Sequence, residues 1–524
     1  MKQEEVKRYL KKYKWIILAA VLILLLSFLL KIYKLTYLPV FGDEAIYIRW
    51  SQIMRAEPSL RFIPLSDGKQ PLFMWAMMPF LKVFKDPLFA GRFLSLLCGT
   101  VTAIGVFVLS CLFSKSPKIS ILALFIYSFL PFSFFFDRLA LVDSMLSMFG
   151  IWFIILSLLV VKYLRFDLSI IAGFILGLAL LTKSPAIFFA LLTPLTLISV
   201  SRIKKSSYKL LKTLFLFGCI YFIGYGMYNF LLRLGPNFQM IALRNKDYIF
   251  PISHLWSNPK DPFIFHMADV FKWFVIYGTW PVFGFFILGI TKLKNNRKDL
   301  FILLAFLMVP LLVQSEFAKV FTTRYIYFVL PYYVIISAYG FDFILKRNVF
   351  KYFAYFLFLL FLFFSMNFYR KMVTNLNKLP LARTDRSGFL EEWTSGTGIY
   401  EAAQIIESDY LVNSDRKIVV GTEGYFGTLP DGLLIYLNDY KEITIIGTGI
   451  DIKEIPKSLI ESRDFGNKTY FLINSSRLLM DYQNSDLKLL AAYPKALRAI
   501  NTREYNIYGP QETLYLFEVS GKSI

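Results

Sequence analysis

Long apolar runs recur through the first 370 residues, separated by short polar stretches. The first covers 15–33. Ten more follow, at 90–113, 119–136, 143–162, 168–181, 185–201, 210–232, 269–290, 300–313, 325–345 and 350–367. Crossing a bilayer takes about 20 apolar residues in a helix, so the pattern predicts about 11 transmembrane helices. The first run is of spanning length and has no small-residue cleavage site, so it reads as a retained helix and not a signal peptide. Residues 71–84 are apolar but short, and Pro79 interrupts them. They predict an interfacial or re-entrant helix.

Beyond residue 367 the pattern changes. Strand-like runs stand at 417–420, 433–437, 443–446, 469–473, 488–493 and 512–519, with helical stretches between several of them and another at 400–407. Strands alternating with helices predict a small α/β domain. The expected fold is therefore an α-helical polytopic membrane domain at 1–369, followed by an α/β domain at 370–524.

Charge supplies the orientation. Six of the first 14 residues are Lys or Arg. The linkers 115–118, 162–167, 202–212, 292–298 and 346–351 are all basic. The intervening linkers 34–89, 137–142, 235–267 and 314–324 contain acids, and 182–184 is a tight turn. Basic loops stay in the cytoplasm. The N-terminus is expected there, in the cell membrane, and an odd number of spans places the C-terminal domain outside. The whole chain is 56% hydrophobic, above the ~45–50% of a soluble domain. Its net charge of +22 lies largely in the short basic linkers, an arrangement that membrane topology explains and nucleic-acid binding does not.

Cys98, Cys111 and Cys219 lie within apolar runs and form no CxxC pair, so they read as small buried residues. His254 and His266 share one linker without zinc-site spacing.

Several ionisable residues fall on the predicted outer side, where a charge close to hydrocarbon is a functional candidate. Asp43-Glu44 follows the first helix and precedes the amphipathic stretch 45–54. The pair is either solvated or poised at the lipid–water boundary, where a carboxylate can act as a base. Lys69 precedes the Pro71 apolar segment. It either snorkels to the interface or offers a point charge to a phosphate. Arg138 and Asp143 join two runs without a polar spacer, either as part of a structural ion pair or as site residues. Lys183 sits in Thr182-Lys183-Ser184-Pro185, where it needs water or an anion. Arg324-Tyr325 precedes a helix containing Pro331, and Arg324 can pair with an acid or fork onto a phosphate. The long linker adds Arg244, Lys246, Asp247 and Lys260. Carboxylates with several cations suit group transfer away from a phosphate: the carboxylate takes a proton and the cations hold the departing phosphate. No glycine-rich nucleotide loop is present, so a membrane-borne donor fits better than a nucleotide sugar.

Taken in order, Asp43-Glu44, Lys69 before Pro71, Arg138 to Asp143, Lys183-Ser184-Pro185 and Arg324-Tyr325 to Pro331 resemble the motifs of C-type (GT-C) glycosyltransferases. The nearest groups are the protein O-mannosyltransferase-like enzymes and the lipid A aminoarabinose transferases. The resemblance covers roughly the first 370 residues. It implies transfer from a polyprenyl-phosphate sugar outside the cytoplasm, with inversion. It maps the essential carboxylate onto Asp43 with Glu44 beside it, a second acid onto Asp143, and phosphate contacts onto Lys69 and Tyr325. Arg324, Arg138 and Lys183 are expected to join the phosphate-binding set. The chain departs from the family pattern at Gln70, where a second proline is common, and at Gly68, where the aminoarabinose transferases carry a metal-site Glu. A β-trefoil insertion of the eukaryotic enzymes has no loop long enough to hold it. The stretch from Thr384-Asp385-Arg386 through Glu392-Trp393 to Gly398 is similar to one in prokaryotic members.

The expected function is transfer of a monosaccharide to a protein, lipid or cell-surface glycan acceptor. No cofactor is required by the reading, and a divalent cation stays open. The expected partners are the lipid-linked donor, the acceptor and the bilayer. Two alternatives stand beside it. An oligosaccharyltransferase-like enzyme would be expected to carry a Trp-Trp-Asp motif, and no Trp-Trp pair occurs. A transporter or flippase would want charges at mid-bilayer and repeat symmetry.

Overall fold

The computed structural model describes residues 3–199, 207–292, 297–412 and 416–521, and the chain forms two compact units. Parts of the basic linkers expected at 202–212 and 292–298 lie outside the described residues.

The first unit comprises Met1–Tyr33, Ser59–Trp75 and Phe93–Arg370. Its described residues are mainly helical, because helices satisfy their own backbone polar groups where no water can. Among the described residues, seven helices are long and apolar enough to span a membrane: Tyr13–Ile32, Pro87–Ser114, Val142–Tyr163, Ser207–Arg233, Lys298–Phe317, Thr323–Leu345 and Asn348–Thr374. Phe263–Ile276 and Trp280–Thr291 make an eighth if the pair, bent by 113°, counts as one. These account for eight of the eleven runs expected. The runs expected at 119–136, 168–181 and 185–201 form the shorter helices Pro117–Phe129, Phe166–Thr182 and Ser184–Ser199. Their breaks have local causes. Leu130 is extended ahead of Pro131, as a residue before proline prefers. Lys183 is extended at φ −163° and ends its helix before Pro185. Val142–Tyr163 and Thr323–Leu345 are mostly enclosed and form the unit's core, whereas Tyr13–Ile32 presents Leu22, Leu25, Leu26 and Leu29 outward. The helices Trp280–Lys292 and Leu330–Leu345 meet through glycine: a Cβ at Gly340 would lie 1.8 Å from the Phe285 carbonyl oxygen. Small residues let membrane helices approach this closely.

The second unit comprises Lys34–Pro58, Ala76–Arg92 and Lys371–Ile524. Its five strands are β1 (Ile418–Thr422), β2 (Ile443–Gly447), β3 (Lys468–Asn474), β4 (Leu487–Leu497) and β5 (Gln511–Val519), in the order β2-β1-β3-β5-β4. β1 runs parallel to β2 and β3, while β5 is antiparallel to β3 and β4. Leu459, Phe471, Ile473, Phe517 and Val519 fill one core. The strand expected at 433–437 is instead the helix Asp431–Leu437. Leu433 to Leu437 is a short apolar run buried at most positions, a pattern that periodicity alone cannot assign.

The segment after the first helix belongs to this second unit. Gly42 N–H donates to the Thr394 carbonyl at 3.1 Å, and Gly396 N–H donates to the Val40 carbonyl at 2.7 Å. Trp50 stacks on Phe426 with ring centroids 5.7 Å apart. The amphipathic stretch expected at 45–54 is the helix Gly42–Ala56.

Candidate active site

In the first unit, the best-defined constellation forms around the turn after Phe166–Thr182. Asp143 stands in the first turn of Val142–Tyr163, where the positive end of the helix favours a carboxylate. Lys183 Nζ lies 2.6 Å from Asp143 Oδ1 and 4.5 Å from the centroid of the Tyr325 ring. The Arg324 guanidinium sits 5.4 Å from the same ring. Asp143 is nearly enclosed and its Oδ2 has no hydrogen-bond partner among the described residues. Lys183 keeps 20% of its side chain exposed, so its ammonium stays reachable. A cation over an aromatic face is held in place while retaining its charge.

The Lys69 segment is tied to this turn. Gln70 Nε2 donates to Ser184 Oγ at 2.8 Å. Lys69 and Lys183 therefore stand on backbone positions adjoining one hydrogen bond. Lys69 Nζ pairs with Asp67 Oδ2 at 3.3 Å, and Asp67 Oδ1 accepts from Arg244 Nη2 at 2.6 Å. Arg244 comes from the helix Met240–Tyr248. Gly68, between Asp67 and Lys69, is left-handed at φ +69°, and a Cβ there would lie 2.7 Å from Arg244 Cβ.

That observation tests the metal site of the aminoarabinose transferases. A Glu at position 68 would have to displace Arg244, so an arginine fills the space beside this backbone. Among the described residues, no three His, Cys, Asp or Glu side chains group as metal ligands. The residues present do not fit that metal site. His254 stacks on Phe250 at 4.1 Å, and His266 Nδ1 lies 2.9 Å from the Ser315 carbonyl oxygen.

The 137–143 turn divides its work. Asp137 is fully buried and accepts from Lys31 Nζ at 2.8 Å, Tyr327 Oη at 2.7 Å and Ser144 Oγ at 3.0 Å. It is a structural hub between the first helix and the Thr323–Leu345 segment. Arg138 is enclosed as well, 2% exposed. Of the acids at the two ends of this turn, Asp143 is the one beside Lys183.

In the second unit, Asp43 and Glu44 open the helix Gly42–Ala56, and their environments differ. Glu44 is completely buried. Its Oε1 accepts from Arg92 Nε at 2.9 Å, and its Oε2 accepts from Arg92 Nη2 at 2.7 Å and from Phe41 N–H at 3.0 Å. Arg92 also donates to the carbonyls of Leu35, Leu38 and Pro39. Asp43 is half-buried.

Lys31, Arg92 and the link of Arg244 to Asp67 escape the sequence reading. The first two had a signal: each is a lone cation inside an apolar run.

A family model described as dolichyl-phosphate-mannose-protein mannosyltransferase matches residues 68–225. The matched part carries Lys69, Arg138, Asp143 and Lys183. No curated protein matches. Among solved structures, ArnT from Cupriavidus metallidurans in the apo state is similar over 98% of this chain and 100% of its own, at 12% identity and a TM-score of 0.62. The same protein bound to undecaprenyl phosphate is similar at 13% identity and a TM-score of 0.61, with the same coverage. The fold is the GT-C fold. The oligosaccharyltransferase AglB from Archaeoglobus fulgidus, in complex with an inhibitory peptide and a dolichol-phosphate, is similar over 89% of this chain and 70% of its own, at 12% identity and a TM-score of 0.50. Family match and fold agree on one class, a multi-pass membrane glycosyltransferase.

Proposed function

We propose that this GT-C protein transfers a monosaccharide from a polyprenyl-phosphate donor to an acceptor on the extracytoplasmic side, with inversion. The observation that carries the reading is Lys183, held between Asp143 and the Tyr325 ring while its neighbour Ser184 is bonded to Gln70. Three motifs far apart in sequence converge there, and the convergence supplies reachable cations beside a carboxylate. The two solved relatives captured with undecaprenyl phosphate and dolichol-phosphate have the same fold, which supports a lipid-linked donor.

In the proposed reaction the acceptor oxygen or nitrogen attacks the anomeric carbon. Asp43 takes the acceptor's proton. The bond from the anomeric carbon to the phosphate oxygen breaks, and the polyprenyl phosphate leaves with the electron pair. Lys69, Lys183 and Arg324 stabilise its added charge, with Tyr325 beside them. Glu44 is assigned as a positioning residue, because both its oxygens are committed to Arg92 and Phe41. Arg138 shapes the turn that presents Asp143. No step passes through a metal. The N-terminus is assigned to the cytoplasm of the cell membrane, and residues 370–524 to an extracytoplasmic acceptor-side domain. The oligosaccharyl alternative shares the fold.

The test is transfer of radiolabelled sugar in membranes supplied with a panel of polyprenyl-phosphate monosaccharides, comparing wild type with Asp43→Asn at equal expression. Label reaching a new acceptor only in wild type supports donor class and base together. Full transfer by Asp43→Asn removes Asp43 as the base. Movement of labelled lipid across proteoliposomes without transfer replaces the enzyme with a flippase.

A further inference from the structure

The stretch around Glu392-Trp393 has no part in the reaction above, yet it lines a cavity of about 310 Å³ within the second unit. That volume stands at the low end of the ~300–1,000 Å³ typical of small-molecule sites. Glu392 forms part of the lining, and the ion pairs behind it fix its side chain. Its Oε1 and Oε2 accept from Arg498 Nε and Nη2, each at 2.9 Å. Arg498 is buried and also donates to Glu512, which in turn accepts from Ser475 Oγ and Ser476 N–H at 2.7 Å. Lys495, buried beside them, donates to the carbonyls of Glu392 and Ser395. Ion pairs withdrawn from water are weak sources of stability, and their best-supported use is to specify one arrangement of the groups they hold. Here the arrangement they specify is the lining of a cavity.

The remaining lining is aromatic and cationic. Arg477 lies 4.9 Å from the Trp393 ring centroid, which orients its guanidinium. Arg503 and Tyr508 complete that side, with Glu504 beside them. Among the described residues, neither Arg477 nor Arg503 has a carboxylate within ion-pair distance, and Glu392 is already neutralised by Arg498. Arg477 and Arg503 therefore line the cavity outside any ion pair, with Glu504 as the one lining acid also outside one, although Arg477 also acts at longer range on the buried Glu423. Guanidinium forks match carboxylate and phosphate oxygens, and an aromatic wall suits the apolar face of a sugar ring.

We propose that this cavity binds an anionic saccharide. On the glycosyltransferase reading the saccharide belongs to the acceptor, and only that attribution rests on the reading. The test is calorimetric titration of the full-length protein in detergent with galacturonic acid trimer, galactose trimer and inorganic phosphate. The expected result is saturable binding of the acidic trimer, at least 10-fold tighter than the neutral trimer or phosphate and weakened as salt is raised. Arg477→Gln and Arg503→Gln should each weaken it at least fivefold at unchanged melting temperature. Asp43→Asn should bind as wild type does, so failure of transfer and failure of this site are read separately. Equal affinity for the two trimers, phosphate binding as tightly as the acidic trimer, no binding by wild type, or insensitivity to both arginine variants would each overturn the proposal.

Discussion

Arg92 grips Glu44 with Nε and Nη2 on its two carboxylate oxygens, and both side chains are completely buried. The remaining guanidinium capacity goes to three carbonyls between Leu35 and Pro39. The pair thus clamps the backbone on both sides of Phe41 and fixes the start of the helix that carries Asp43. Removing one partner leaves an uncompensated buried charge, which typically destabilises by roughly 3–5 kcal/mol. Glu44→Ala and Arg92→Met are expected to lower the melting temperature of the detergent-solubilised protein and its yield in membranes. Asp43→Asn should leave both unchanged. A Glu44→Ala protein of wild-type stability that lost transfer alone would return Glu44 to the chemistry.

Gly68 offers a second test. Its φ of +69° favours glycine, and the position a Cβ would take is filled by Arg244. Gly68→Ala should destabilise by about 1–3 kcal/mol and raise the donor KM, because Lys69 is the next residue. Adding Arg244→Ala removes Cγ but leaves Arg244 Cβ at 2.7 Å and the Met240 carbonyl oxygen at 2.8 Å, and it leaves the backbone strain, so the double variant should recover little of the stability. Complete recovery would show that the outer part of the Arg244 side chain carries the whole cost and that neither backbone strain nor the remaining contacts matter.

Much of this molecule is legible in its sequence. Each long apolar run expected is mainly helical over its described residues, because hydrocarbon leaves the backbone no other partner. Five of the six strands expected after residue 370 stand where alternation and β-branched residues place them. The run expected at 119–136 breaks at Leu130, where hydropathy gives no sign of it, whereas the turn expected at 182–184 stands at Lys183. The pairing of Lys31 with Asp137 and of Arg92 with Glu44 is tertiary. Sequence marks each of these cations as anomalous in an apolar run but does not name the acid, which lies 106 residues away in one case and 48 in the other.

Lys495 gives a pH signature to the second unit. Burial pushes its ammonium down to about 8, against the opposing pull of Glu512, Glu423 and Glu392. The unfolded chain returns it to about 10.4. Between those values the unfolded state binds the extra proton, so stability rises with pH across that window and the penalty is full below it. Wild type should therefore gain melting temperature relative to Lys495→Met as pH goes from 7.5 to 10, measured by thermal unfolding of both proteins. Parallel curves would mean that Lys495 carries no such shift.

Lys183 and Asp143 can be separated by a double-mutant cycle on donor kinetics. If Lys183 contacts the donor phosphate and Asp143 acts by holding Lys183, then Lys183→Met removes the phosphate contact and raises the donor KM about 10-fold, equivalent to ~1.4 kcal/mol. Lys183→Met also leaves Asp143 buried beside nothing, so part of its effect will appear as lost stability. Asp143→Asn keeps the lysine charge but loosens its position, and should raise KM less. With Lys183 already gone, removing the Asp143 charge should cost no further donor affinity and should restore some stability. Residues in direct contact typically couple by about 0.5–3 kcal/mol, so the double variant should match Lys183→Met within a factor of three. A double variant whose KM equals the product of the two single effects would mean that Asp143 acts on the substrate independently, as the second acid of the site and not as the anchor of Lys183.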